Sequence, residues 1–145
     1  MKIKAKTEYA YWALLDVALR SRGAEPVRLG EISERQHIPE KFLLQVMTSL
    51  RQAGLVKSIR GQHGGYVLAR PAASITLADI LRATGVEPAV MPFSPSRASA
   101  HGGSRSSLAR LMAQVDAKTA KTLESITLVD ACSLELSKEA ISYTI

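Results

Sequence analysis

The stretch that most constrains this chain is Arg60-Gly61-Gln62-His63-Gly64-Gly65, set between two short β-prone runs, Leu55-Val56-Lys57-Ser58-Ile59 and Tyr66-Val67-Leu68. Glycine admits positive φ and lets the backbone approach another surface closely. Three glycines in six residues between strand-forming runs therefore predict a tight β-hairpin. A phosphate-cradling nucleotide loop is the one serious rival. That loop needs a helix after it and usually a Lys-Ser/Thr ending, whereas a strand follows here, which argues against a nucleotide site.

Three helical patterns precede the hairpin. Ala10, Ala13, Leu14, Val17 and Ala18 recur at the spacing of an amphipathic helix, and Tyr11, Leu15 and Leu19 widen its apolar surface. This predicts a first helix from Thr7 to Ser21, packed on both sides and stopped by Gly23. Leu29 to Gln36 reads as a short second helix with Leu29 and Ile32 inward. Pro39 suits the first turn of a third, where its missing N–H costs nothing. Leu43, Val46, Met47 and Leu50 are that helix's buried stripe as far as Ala53, and Gly54 is its stop. Three helices and a hairpin make a winged helix-turn-helix. Thr76 then caps a fourth helix with Leu77, Ile80 and Leu81 on one side.

Between Pro88 and Ser107 the composition changes. Three prolines, two glycines and six serines predict a mobile loop. A fifth helix begins near Ser106 with the stripe Leu108, Leu111, Met112 and Val115, and with Leu123 and Ile126 further along. A long helix with one stripe beyond a compact domain points to subunit association, the alternative being that it folds back on its own core. The expected class is mainly α with a small β-hairpin wing. Residues 1–86 form a winged helix-turn-helix DNA-binding domain, 87–105 a flexible Pro/Ser/Gly-rich loop, and 106–145 a dimerisation helix and C-terminal segment.

Charge is divided unevenly over this plan. The chain of 145 residues carries a formal +6, with 13 Lys plus Arg against 7 Asp plus Glu in residues 1–86 and 6 against 6 in the remainder. The excess sits wholly in the winged half, as a polyanion-binding unit requires. No apolar run is long enough for a membrane span, and no signal-peptide core follows the basic start Met1 to Lys6, so the cytoplasm is the expected compartment. The single cysteine, Cys132, excludes an intrachain disulfide and an all-cysteine metal site within one chain.

At about 100° per residue, the buried stripe of the third helix leaves Lys41, Gln45, Thr48 and Gln52 opposite. Lys reads guanine or a phosphate, Gln suits adenine, and Thr bonds base or backbone. In the hairpin, Arg60 can reach phosphates or a narrow minor groove, with Gly61 permitting the approach, and His63 can touch a phosphate or equally be solvated. Lys2, Lys6, Arg28 and Lys57 supply further backbone charge. Cys132 is the one candidate redox thiol, but no neighbouring cation favours its thiolate, and a small packed hydrophobe is the better reading. His101 is alone in its loop, with no partner at metal-ligand spacing, and no metal or cofactor is expected. Trp12, between Glu8 and Asp16, is assigned to packing at a subunit interface or against the fifth helix. No nucleophile–base set is present, so an enzyme is not expected.

The run from Ala53 to Pro71 resembles the signature of the Rrf2 family of bacterial winged-helix transcription regulators, which includes the iron–sulfur cluster biogenesis repressor, the nitric-oxide-sensing repressor and the cysteine-metabolism repressor. The start through Tyr9-Ala10, Glu31-Ile32-Ser33 and the run Ile75 to Leu81 are similar to it too. So is Ser125 to Asp130, which resembles the motif ending the family's dimer helix. The resemblance, over 1–86 and 105–131, implies a homodimer on a pseudo-palindromic operator in double-stranded DNA, most often as a repressor.

Two departures stand out. Members often carry Tyr-Leu-Glu-Gln in the recognition helix, where the acidic residue contributes to base discrimination; this chain has Phe42-Leu43-Leu44-Gln45. Sensor members place three cysteines in the loop matching 88–107, and this loop has none. Glu8 stands where some relatives supply an acidic ligand, but one carboxylate cannot hold a cluster, and a helix-start charge near Lys4 or Lys6 is its simpler role. The expectation is a regulator without an iron–sulfur cluster and with an unidentified small-molecule effector. The alternative, a winged-helix protein-interaction module with no operator, sits poorly with the +6 of the winged half.

Overall fold

A computed structural model describes residues 2–21, 25–88 and 104–144. The order is α1 (Ala5–Arg20), α2 (Leu29–Gln36), α3 (Glu40–Gln52), β1 (Val56–Ile59), β2 (Gly65–Leu68), a 3-10 turn (Ala72–Ser74), α4 (Leu77–Ala83), α5 (Ser104–Ser125) and α6 (Leu128–Thr144). This is the mainly helical fold with a hairpin wing that the sequence predicts.

The first helix is central because its apolar residues cover adjoining faces. Ala10, Ala13, Leu14 and Val17 are fully buried, and α1 packs on α2, α3, β2, α4 and α6. One charge lies in this core. Asp16 is 2% exposed, and it accepts hydrogen bonds from Arg35 Nε at 3.0 Å, Arg35 Nη2 at 2.8 Å and Gln36 Nε2 at 3.1 Å. A buried carboxylate needs such donors to offset lost hydration, and these three tie α1 to α2.

Between α2 and α3 the chain turns sharply at His37, the one described non-glycine residue with positive φ. The Ser33 hydroxyl donates to the Ile38 carbonyl at 2.6 Å, and the Ile38 N–H returns to the Ser33 carbonyl at 3.1 Å. Pro39 is the N-cap of α3, one position before the first turn where the sequence places it. Leu43, Val46, Met47 and Leu50 are all buried, as their spacing predicts. In the hairpin Val56 faces Leu68 and Ile59 faces Gly65. Val27 forms a further antiparallel bridge with Tyr66, bonded at 2.9 and 2.8 Å. Only glycine fits at position 65, where φ is +154° and a Cβ would lie 2.5 Å from the Val27 carbonyl oxygen.

Thr76 caps α4 as predicted: its hydroxyl accepts from the Asp79 N–H at 3.2 Å, and Asp79 accepts from the Thr76 N–H at 2.9 Å. The C-terminal part differs from expectation. Helix α5 begins at Ser104, so residues 104–107 are helical rather than loop. It ends at Ser125, which leaves Ile126 at a junction rather than on the stripe, and a second helix follows. The cause is another capping box, with Thr127 N–H donating to Asp130 at 2.7 Å. Residues 89–103 of the 88–107 loop, including His101, lie outside the described residues. The α5–α6 junction is stitched to the start of α4: Leu77 N–H donates to Ile126 at 2.9 Å and Leu128 N–H to Ile75 at 2.8 Å. Leu123 packs with Ala78 and Leu81, while Leu128 and Ala131 join the main core. One end of α5 thus folds back on the core. Nearer its start, Leu108, Leu111 and Val115 remain 48%, 57% and 43% exposed, and Met112 is half-buried.

Candidate nucleic-acid interface

Helix α3 presents the face the sequence predicts: Lys41, Gln45 and Gln52 are exposed and Thr48 is partly so. The hydroxyls on this helix are turned inward on its own backbone. Thr48 donates to the Leu44 carbonyl at 2.8 Å and Ser49 to the Gln45 carbonyl at 3.2 Å. Their protons are therefore engaged, and on the predicted face Lys41, Gln45 and Gln52 are the outward side-chain donors, with Arg51 exposed to one side of it. The start of α1 adjoins this helix. Lys6, Ala5 and Tyr9 form one shallow groove with Phe42, Gln45 and Val46, which places Lys6 beside Gln45. Lys2 lies exposed just ahead of α1.

The wing carries Lys57 on β1 and Arg60, Gly61 and His63 in its turn, all exposed. Gly61 has φ +114° with open space around it, and its carbonyl accepts from the Gly64 N–H at 3.0 Å to close the turn. Arg28, expected to supply backbone charge, is exposed and also braces the wing. Its Nη2 donates to the carbonyl of Gln62 at 2.6 Å across 34 residues of sequence. Its own N–H donates to Glu31 at 3.3 Å. Arg28 and His63 line one polar cleft with Glu25, Pro26 and Glu31. Nothing in local sequence signals this contact, because the hairpin itself creates it.

Two residues absent from the predicted site are also on α3. Phe42 and Leu44 are 50% and 51% exposed, on opposite flanks of the polar face. Both fall outside the buried stripe, so helical periodicity alone could have found them.

Cys132 lies half-buried on α6, against the core. Burial pushes its thiol above the ordinary range, only partly offset by a backbone hydrogen bond. Tyr11 is raised as well, first by burial and then by the nearby Glu135 and Cys132. Trp12 is 37% exposed, touches Tyr9 with ring centroids 5.9 Å apart, and lines a groove with Leu81 and Leu123. Among the described residues, no helix is long and apolar enough to cross a membrane.

A family model described as an iron-dependent transcriptional regulator, Rrf2, matches residues 3–133. The chain is 49% identical over 84 residues to the HTH-type transcriptional regulator IscR of Cereibacter sphaeroides, covering 57% of this chain and 54% of that protein. It is 39% identical over 128 residues to IscR of Vibrio atlanticus, covering 88% and 73%. The chain thus spans about half the length of the first of these relatives. Two solved structures are similar. CymR, the global cysteine regulator of B. subtilis, superposes with TM-score 0.73 at 30% identity, covering 92% of this chain and 98% of that one. T. potens IscR superposes with TM-score 0.68 at 35% identity, covering 97% and 90%. These named proteins are regulators, not enzymes.

The residues present do not fit the iron–sulfur centre that an iron-dependent description implies. The chain has one cysteine, and no group of three His, Cys, Asp or Glu that could hold a metal is found among the described residues. The family is fixed by extent instead: with a model match over 3–133 and the wing, capped helices and fold in agreement, the chain belongs to the Rrf2 family of transcriptional regulators.

Proposed function

We propose that this chain binds double-stranded DNA sequence-specifically as a homodimer on a pseudo-palindromic operator, and that it represses transcription in the cytoplasm without an iron–sulfur cluster. The observation that carries the reading is the exposed Lys41–Gln45 face of α3, together with an Arg60 turn built on glycine, in the half that holds all the excess charge. Lys41, Gln45 and Thr48 address the major groove, Arg60, Gly61 and His63 the flanking backbone or minor groove, and Lys2, Lys6 and Lys57 add phosphate contacts. Arg28 serves the same end by holding the turn at Gln62. Residues 1–86 act as the DNA-binding unit. Residues 106–145 bring two copies together through Leu108, Leu111, Met112 and Val115, the exposed end of α5.

The test is selection of genomic fragments by purified protein, followed by binding measured against salt. Affinity should fall steeply and log-linearly with salt as neutralised phosphates release counterions. Binding to no fragment would overturn the reading in favour of a protein-interaction module, and fragment-independent binding would remove its sequence specificity. Iron-replete protein purified without oxygen should be colourless, and its DNA affinity should not depend on iron.

A further inference from the structure

We infer that Leu44 and Phe42 read thymine methyl groups, so that part of the operator preference is apolar. The inference rests on α3 being the groove-facing helix and adds what that helix selects. On a helix otherwise buried or polar, these two large side chains are 50% and 51% exposed and leave apolar surface unused by the core on either side of the polar face. They flank the Lys41, Gln45 and Thr48 face in the first half of α3, which is the part of a recognition helix that meets base edges.

The surroundings fit one occupant. Lys41 and Arg51 on the same helix, Lys6 beside Phe42, and Lys57 and Arg60 on the wing give a cationic frame suited to phosphates. Within such a frame, the major-groove edge offers an apolar side chain one partner, the thymine C5-methyl. The Thr48 and Ser49 hydroxyls donate back to the helix, so neither has a free proton for a base edge, while Arg51, two turns beyond Leu44, belongs to the phosphate frame. Leu44 offers no hydrogen-bonding group, and it disfavours a bare cytosine edge, whose amino group would lose water without gaining an acceptor.

The experiment uses the full chain and the genomic fragments it selects. Each fragment is amplified with deoxyuridine in place of thymidine, which deletes the methyl and leaves base pairing intact. Binding of the two forms is compared at one salt concentration, and single deoxyuridine substitutions then locate the sensitive positions. Removing one contacted methyl from one half-site should weaken binding about fourfold. Leu44→Ala should lose the sensitivity at its position and Phe42→Ala at another, with far-UV circular dichroism unchanged because both side chains are exposed. Equal affinity for the two DNA forms overturns the inference and leaves DNA binding intact. Sensitivity that persists unchanged in both variants also overturns it, because the methyl would then act through DNA shape. If no fragment is selected at all, the DNA-binding reading itself fails.

Discussion

Arg28 and Arg60 are both exposed and close to the wing, yet they are expected to answer a salt titration differently. Arg60 has an open setting next to Gly61, whereas the Arg28 guanidinium is bonded to the Gln62 carbonyl. Arg60→Ala should weaken DNA binding and lower the salt slope by about one unit. Arg28→Ala should weaken binding with the slope unchanged, because it loosens the turn without removing a phosphate contact. Fluorescence anisotropy across a salt series separates the two. In the core, Asp16→Ala should cost about 2 kcal/mol in urea unfolding, less than for a fully buried pair because Arg35 can turn to water. Cys132 titrates above its ordinary range, so the native protein holds it as the neutral thiol at neutral pH. Because the unfolded chain releases that proton first, stability is intact below roughly pH 8.5 and declines as pH rises through the folded value. Iodoacetamide at neutral pH should alkylate native protein much more slowly than urea-unfolded protein, and mild peroxide should leave DNA affinity unchanged. Fast native alkylation would contradict this.

The elements differ in how much of them can be read from the sequence. Helices α1 to α4 and the hairpin are legible because periodicity and punctuation agree: Gly54 follows the α3 stripe, Thr76 opens α4, and the glycines sit between β-prone runs. Helix α6 is not legible in that way. Val129, Leu134 and Leu136 on it are exposed, so its apolar residues follow no single stripe and periodicity gives no signal. Its real mark is the Thr127–Asp130 box, the same chemistry that opens α4. The polar face of α3 is legible because it is the complement of a buried stripe. The Arg28–Gln62 lock is not, since it depends on tertiary closure of the wing onto α2. The close approach at Gly65 gives an element-scale prediction. Gly65→Ala should break the Val27–Tyr66 bridge and destabilise the protein by about 2 kcal/mol, and amide exchange at Val27 and Tyr66 should accelerate before the rest of the hairpin.

For the whole molecule, the question is how the exposed start of α5 relates to the folded-back end. Leu111→Asp should convert a dimer to monomer at micromolar protein, weakening association about a hundredfold or more, because each copy would bury an unpaired carboxylate. Light scattering checks this, and an unchanged dimer would move the interface elsewhere. The monomer should keep its circular dichroism, since Leu111 is 57% exposed. The hydrogen bonds Leu77–Ile126 and Leu128–Ile75 and the ion pair of Arg82 with Glu124 at 2.9 Å hold one end of a 22-residue helix to the winged domain. At 1.5 Å per residue that arm is about 33 Å long, so a rotation of about 10° at the clasp displaces its far tip by about 6 Å. In a dimer joined along that arm, the clasp sets the gauge between two reading heads. DNA half-sites come at a fixed pitch, so an effector that bent this joint by a few degrees would throw the heads out of step with the double helix without touching either one.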